Sequence, residues 1–270
     1  MVDISECIQK FPLELQWEIG QHLGLYFPFS IESAQTIINK TNYKKYVNHA
    51  LQRDNVEHLK VVINTISSFD DIEKYIDELT TKCDMYAALY CLKLLTKQGY
   101  YKHGAVTYIA AMKEHLACLQ YLTEKGYPKQ EDATYYAAAN GHLACLQYLT
   151  EHGYLKHPDA TEVAAKNGHL ACLQYLTQQG YHKNISVTYW AAGNGHLACL
   201  QYLTVQGYPK DRCAAFHAAK NGHLLCLQYL TEQGYHKHPE ATYWAARNGH
   251  LVCLQYLTEQ GYYKYPDATF

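Results

Sequence analysis

Asp132-Ala133-Thr134-Tyr135-Tyr136-Ala137-Ala138-Ala139-Asn140-Gly141-His142-Leu143-Ala144-Cys145-Leu146-Gln147-Tyr148-Leu149-Thr150-Glu151-His152-Gly153-Tyr154 is the stretch on which the fold turns. Asp132 to Ala139 reads as a short helix, with an acid placed to cap its first turn. Asn140-Gly141 tolerates the left-handed backbone that lets the chain reverse. A second helix is expected from His142 to Glu151, with Leu143, Cys145, Leu146 and Leu149 on its apolar side. Gly153 stops it, and Tyr154 follows where an apolar residue packs back on a helix end. Leu155-Lys156-His157-Pro158 is loop, and Asp159 is placed to cap the next helix.

The unit repeats. Gly-His-Leu recurs at Gly141, Gly168, Gly195, Gly222 and Gly249, each 27 residues after the last. The frame extends back to Glu114-His115-Leu116, where Glu replaces Gly, and to Ala88-Leu89-Tyr90-Cys91-Leu92; a looser copy begins at Glu57. One helix pair cannot bury both its faces, whereas a stack of pairs can, so the expected fold is an all-α solenoid. The expected division is 1–50 as a helical amino-terminal segment, 51–83 as a divergent first repeat and 84–270 as regular repeats.

Composition agrees. The 270 residues carry 23 basic and 25 acidic side chains, a formal charge of −2, and 48% are apolar. That balance suits a folded soluble chain and gives no long-range pull toward nucleic acid or anionic membrane. No run approaches the ~20 apolar residues needed to span a bilayer, and the start lacks a signal-peptide layout. The default compartment is the cytoplasm, with the nucleus as the alternative. Repetition also explains the 27 Tyr and 10 Cys.

The pattern Thr-x-x-Ala-Ala-x-Asn-Gly-His-Leu-x-Cys-Leu-x-Tyr-Leu-x-x-x-Gly resembles the helical core of the ankyrin repeat. In that family Ala-Ala packs the first helix, Gly-His makes the turn and a Leu-rich second helix ends at Gly. The period of 27 falls short of the family's usual ~33, which implies a shortened β-hairpin finger. Asp-Ala-Thr-Tyr, or a variant, stands in place of Thr-Pro-Leu-His. Thr150 and its equivalents occupy a position where ankyrins usually carry Leu. The short period is most similar to ankyrin proteins of giant DNA viruses and some protists, and the viral likeness implies a protein acting in a host cell. The family's role is non-catalytic protein–protein interaction.

Seven cysteines share one repeat position, from Cys91 and Cys118 to Cys253, and a His lies three residues before six of them. Stacked helix pairs would space these cysteines ~8–10 Å apart, too far to converge on zinc with its ~2 Å bonds or to form disulfides. Each Cys is therefore expected to be a small buried hydrophobe and each His a turn residue bonded to nearby backbone. No metal or other cofactor is expected. Phosphate-loop, nucleophile-elbow and His-Glu-x-x-His motifs are missing, so the chain is read as a non-enzyme.

The copies differ at two positions of the first helix. One holds Ile109, Tyr136, Val163, Trp190, His217 and Trp244; three residues on stand Met112, Ala139, Lys166, Gly193, Lys220 and Arg247. The resemblance implies that this stripe faces the concave groove. Aromatic and cationic residues at positions released from the packing rule are what a recognition surface uses. The expected partner-binding groove is therefore Tyr136, Lys166, Trp190, His217, Lys220, Trp244 and Arg247, and the alternative is half-buried packing.

A second row is Tyr-x-Lys after every second helix, from Tyr100 and Lys102 to Tyr262 and Lys264. Cations beside aromatics could follow a phosphate backbone. With a near-neutral chain the simpler expectation is that Tyr staples the helix end and Lys is solvated near its negative pole.

Residues 1–50 leave the repeat. Ile8 to Leu23 reads as an amphipathic helix started by Pro12, with Leu15, Ile19 and Leu23 four apart on one face. The spacing of Pro12, Glu14, Leu15, Ile19 and Leu23 is similar to the opening of an F-box. That likeness implies docking on the Skp adaptor of a cullin-type ubiquitin ligase through Pro12, Leu15, Ile19 and Leu23. The alternative is a solenoid cap. At the other end Pro266-Asp267-Ala268-Thr269-Phe270 begins another first helix. An uncovered last repeat is expected to meet a partner or a second copy, unless the natural chain continues.

Overall fold

A computed structural model describes residues 105–263 and, individually, Leu89, Leu92, Lys93 and Thr96. Residues 1–50 and 51–83, with the F-box-like positions, and Pro266 to Phe270 lie outside the described residues. Twelve helices and no strand are found among the described residues. In chain order they are α1 Ala105–Met112, α2 Leu116–Glu124, α3 Asp132–Ala139, α4 Leu143–Glu151, α5 Ala160–Lys166, α6 Leu170–Gln178, α7 Ser186–Gly193, α8 Leu197–Val205, α9 Ala214–Lys220, α10 Leu224–Glu232, α11 Ala241–Arg247 and α12 Leu251–Glu259. Residues 105–110 and 120–128 fall in one compact unit, 111–119 and 129–263 in another.

Each copy in the second unit is an antiparallel helix pair closed by two Gly turns. Gly141 has φ +77° and Gly153 φ +70°. At the second turn Gly153 N–H donates to the Thr150 carbonyl and Tyr154 N–H to the Leu149 carbonyl, at 3.2 and 2.9 Å. This pair of bonds satisfies the orphan carbonyls of the helix end, with Gly carrying the left-handed residue. The turn after α3 repeats it, through Gly141 and His142. Where the frame has Glu114 instead of Gly, the residue still adopts φ +61°.

First helices pack on first helices and second on second, the first helices more closely. Ala137 and Ala138 of α3, and Cys145, Leu146 and Leu149 of α4, are fully buried, and their equivalents repeat this as far as α10, while Ala246 and Leu254 of the last pair are half-buried. The small Ala side chains let the first helices approach. Each buried Leu contributes ~2 kcal/mol by burial.

Polar ladders bind copy to copy. Thr150 Oγ1 donates to the Leu146 carbonyl at 2.9 Å, which leaves its oxygen to accept from the Tyr181 hydroxyl of the next copy, 3.3 Å away. Thr177–Tyr208, Thr204–Tyr235 and Thr231–Tyr262 repeat the bond. Thr at this position is therefore a partner for Tyr. Lys156 Nζ reaches the Gln179 carbonyl at 2.6 Å and lies 5.0 Å from the centre of the Tyr181 ring. Lys183, Lys210 and Lys237 do the same one copy further on each time. Each Lys thus serves the negative pole of the next copy's second helix, not only its own.

The histidines also reach across. His169 Nε2–H donates to the Ala139 carbonyl at 3.0 Å, and Asn167 donates to the same oxygen at 2.7 Å. The bonded backbone is thus 30 residues away in sequence, in the preceding copy, rather than local. The imidazole passes so close that a Cβ on Gly141 would meet His169 Nδ1 at 2.6 Å.

Two local expectations are corrected. The second helix begins at Leu143, with His142 just outside it. Asp132 lies inside the first turn of α3, and Asp159, although at the boundary of α5, makes no side-chain cap bond. Thr134 takes over the local bonding: its hydroxyl shares its one proton between the Glu131 and Leu155 carbonyls and accepts from His157 N–H.

Candidate functional site

The variable stripe lies on the first helices, and its side chains form cation–ring pairs that bridge successive copies. Lys166, last residue of α5, holds its Nζ 4.3 Å from the centre of the Trp190 ring on α7. Lys220, last of α9, stands 4.6 Å from Trp244 on α11. Arg247 approaches the same indole to 5.0 Å. These separations lie within cation–π range. Trp244 Nε1–H donates to the Glu240 carboxylate at 3.1 Å, which fixes the ring.

Between the two pairs the stripe closes on itself. A Cβ on Gly193 would lie 3.2 Å from that of His217, so the imidazole fills the place of a side chain there. His217 packs edge-on against Tyr189 at 4.3 Å and Phe216 at 4.6 Å. Burial, then the Lys220 charge, holds its pKa below the ordinary value. The imidazole is therefore neutral at pH 7.

Six of the seven expected groove residues thus fall into one chain of ring contacts: Lys166 with Trp190, then through Tyr189 to His217, and through Phe216 to Lys220, Trp244 and Arg247. Tyr136 pairs edge-on with Tyr135 instead, and the stripe position between it and Trp190 is the buried Val163.

The sequence reading missed the position just before the stripe. It carries Tyr135, Glu162, Tyr189, Phe216 and Tyr243. Tyr135 packs at a tilt on His157 and Phe216 on His238 of the following loops, at 4.9 and 4.8 Å. In the odd copy the Glu162 carboxylate accepts from Ser186 and Asn184. There the buried Thr161 hydroxyl has no hydrogen-bond partner. The period-27 spacing of the rings was the available signal.

Burial disfavours the thiolate in the file from Cys145 to Cys253. Burial pushes Cys172, Cys199 and Cys226 up to about 11, and burial with the Glu114 charge takes Cys145 to about 12. Thiols at such values are not nucleophiles at pH 7. Cys213 alone of the described cysteines is only half-buried.

A stack of identical helix pairs with one irregular aromatic–cationic face defines a repeat solenoid built for contact. The chain belongs to the ankyrin-repeat family: the model "Ankyrin repeats (3 copies)" matches residues 107–187, 161–240 and 188–267. The ankyrin repeat domain of human ASB11 superposes with a TM-score of 0.52 at 21% identity, covering 57% of this chain and 83% of that one, a likeness of fold. Comparison with curated proteins gives no match. Ankyrin repeats mark a protein–protein interaction domain. Among the described residues no helix is long and apolar enough to cross a membrane.

Proposed function

We propose that the chain is a non-catalytic recognition protein of the cytoplasm, whose first-helix stripe holds a protein target. Residues 1–50 dock it, through Pro12, Leu15, Ile19 and Leu23, on the Skp adaptor of a cullin-type ubiquitin ligase. The supporting observation is the contrast along the first helices: packing positions are Ala in copy after copy, while the stripe changes from Ile, Met, Val, Ala and Gly to Tyr, Trp, His, Lys and Arg. Partly exposed Trp and Arg in clusters are the residue types that dominate binding energy at interfaces.

The test is gel filtration of the intact chain with purified Skp adaptor, beside a variant lacking residues 1–50. Co-elution that the truncation abolishes is the expected result. An intact chain that elutes alone reduces the segment to a cap.

One observation favours assembly as a second reading. Leu225 and Val252 replace the Ala of earlier copies on the second helices and are 64% and 59% exposed. Light scattering over a range of concentrations would show self-association through that side.

A further inference from the structure

The stripe cations are preorganised and carry no counter-charge. Among the described residues no ion pair joins Lys166, Lys220 or Arg247 to a carboxylate. The acids nearby accept from neutral donors: Glu240 from Trp244, Glu162 from Ser186 and Asn184 of the next copy, and Asp211 from Cys213 N–H. Each cation is instead laid against an indole, which restricts its rotamers before any ligand arrives, and Arg247 also donates to the neutral Tyr243 hydroxyl at 3.2 Å. This differs from the Tyr-x-Lys row, where Lys129, Lys156, Lys183, Lys210 and Lys237 are each consumed by a carbonyl of the next copy.

We propose that this face takes an acidic, extended segment of a protein partner, its carboxylates received by Lys166, Lys220 and Arg247 and its intervening chain covered by Trp190 and Trp244. The proposal rests on the protein-recognition reading above and adds the chemistry of what is recognised. Spacing follows from the stack. Adjacent helix pairs are ~10 Å apart, and an extended chain advances ~3.3 Å per residue. Lys220 and Arg247 lie one copy apart and so meet carboxylates three residues apart. Lys166 and Lys220 lie two copies apart and match a separation of six, because Gly193 and His217 put no charge at the station between. The segment therefore carries acids at relative positions 0, 6 and 9. A nucleic acid, charged at every nucleotide, would leave most of its phosphates without a cation here.

The experiment selects binders from a displayed library of random 16-residue peptides on the intact chain, then measures them by fluorescence anisotropy. A designed probe accompanies them: a fluorescein-labelled Gly/Ser peptide with Glu at positions 3, 9 and 12, and its Gln counterpart. Enrichment of acids at three- and six-residue spacing is expected. So are an advantage of about tenfold or more for the Glu probe over the Gln probe and a comparable loss in Lys220→Glu. Circular dichroism of that variant, and the milder Lys220→Gln, separate a lost charge from a lost fold. Selected peptides that are neutral, yet lost in Trp190→Ala and Trp244→Ala, overturn the acidic ligand and leave the recognition face standing. If no selected peptide depends on either Trp, both readings fall. A single-stranded RNA 20-mer that binds more tightly than the peptides, with the same dependence on Lys220, also overturns the proposal.

Discussion

The Thr–Tyr–Lys ladder and the aromatic stripe run along the same stack but obey opposite rules. On the ladder the same three residues recur in copy after copy, and each has a partner in a neighbouring copy. On the stripe the residue changes from copy to copy, while the backbone beneath it does not. Identity along a repeat marks a bond the stack needs at every seam; variation marks a position the stack has left to something else. Both regions contain cations over aromatic rings. The difference is that ladder lysines finish on a carbonyl and stripe cations do not.

The largest test of that contrast is at the turn glycines. Gly168 combines φ +78° with a prospective Cβ 2.5 Å from His196 Nδ1, whereas Gly207 has φ +68° and nothing within 4 Å. Ala at Gly168 should cost about 3 kcal/mol, the left-handed strain plus displacement of the imidazole, and Ala at Gly207 about 1 kcal/mol, the strain alone. Urea unfolding of the two variants measures the seam directly, and equal losses would show that the His contact contributes nothing.

Trp244→Ala comes next and should act on binding rather than folding. About 2 kcal/mol of affinity for a selected peptide is expected to go, while the urea midpoint shifts little. A stability loss as large as the affinity loss would return the stripe to packing. On the ladder, Tyr208→Phe removes the bond to Thr177 and should lower stability by about 1 kcal/mol without touching peptide affinity. A change in affinity there would break the division between the two regions.

The smallest effect is in acid. Burial, then the Lys220 charge, holds His217 below its ordinary pKa; Asp211 opposes this and His238 adds to it. Burial lowers His223 too, with the Gly193 carbonyl opposing and His196 and His250 adding. The unfolded chain takes up these protons first, so stability is full above the usual His pKa of ~6.5 and falls as pH drops through the lower folded values. Peptide affinity for an acidic ligand should move the other way, since protonated His217 fills the uncharged station. A pH series of both quantities sharpens the comparison, and parallel movement would contradict it.

Much of the architecture was legible because it is written in period. The span Asp132–Ala139, the Asn-Gly turn and the buried Ala, Cys and Leu positions all follow from one copy and its repetition. The seams were not legible. A bond from Lys156 to the Gln179 carbonyl or from His169 to the Ala139 carbonyl depends on how copies stack, and no local pattern encodes that. For the same reason Lys looked like a solvated charge and His like a local turn residue. The stripe was found because variation in a repeat is visible in sequence. Which cation pairs with which Trp was not, because the partners stand 24 positions apart across a seam.

The Ala139 carbonyl accepts from both Asn167 and His169, and Asn221 donates likewise to the Gly193 carbonyl and Asn248 to that of Lys220. Because these bonds use backbone oxygen, they are indifferent to the side chain on that residue, be it Ala, Gly or Lys. Joints of this kind are therefore interchangeable, whereas Asn140 and Asn194 turn to carbonyls of their own helices, at Tyr136 and Trp190. Gene-level loss or gain of one 27-residue unit would reclose on an equivalent joint, and the helices on either side would keep their neighbours. What would change is the order of stations along the stripe, so that excising the copy bearing Gly193 would bring Lys166 next to Lys220 and shorten the six-residue separation to three. In such a chain, recognition can be rewritten by recombination without refolding.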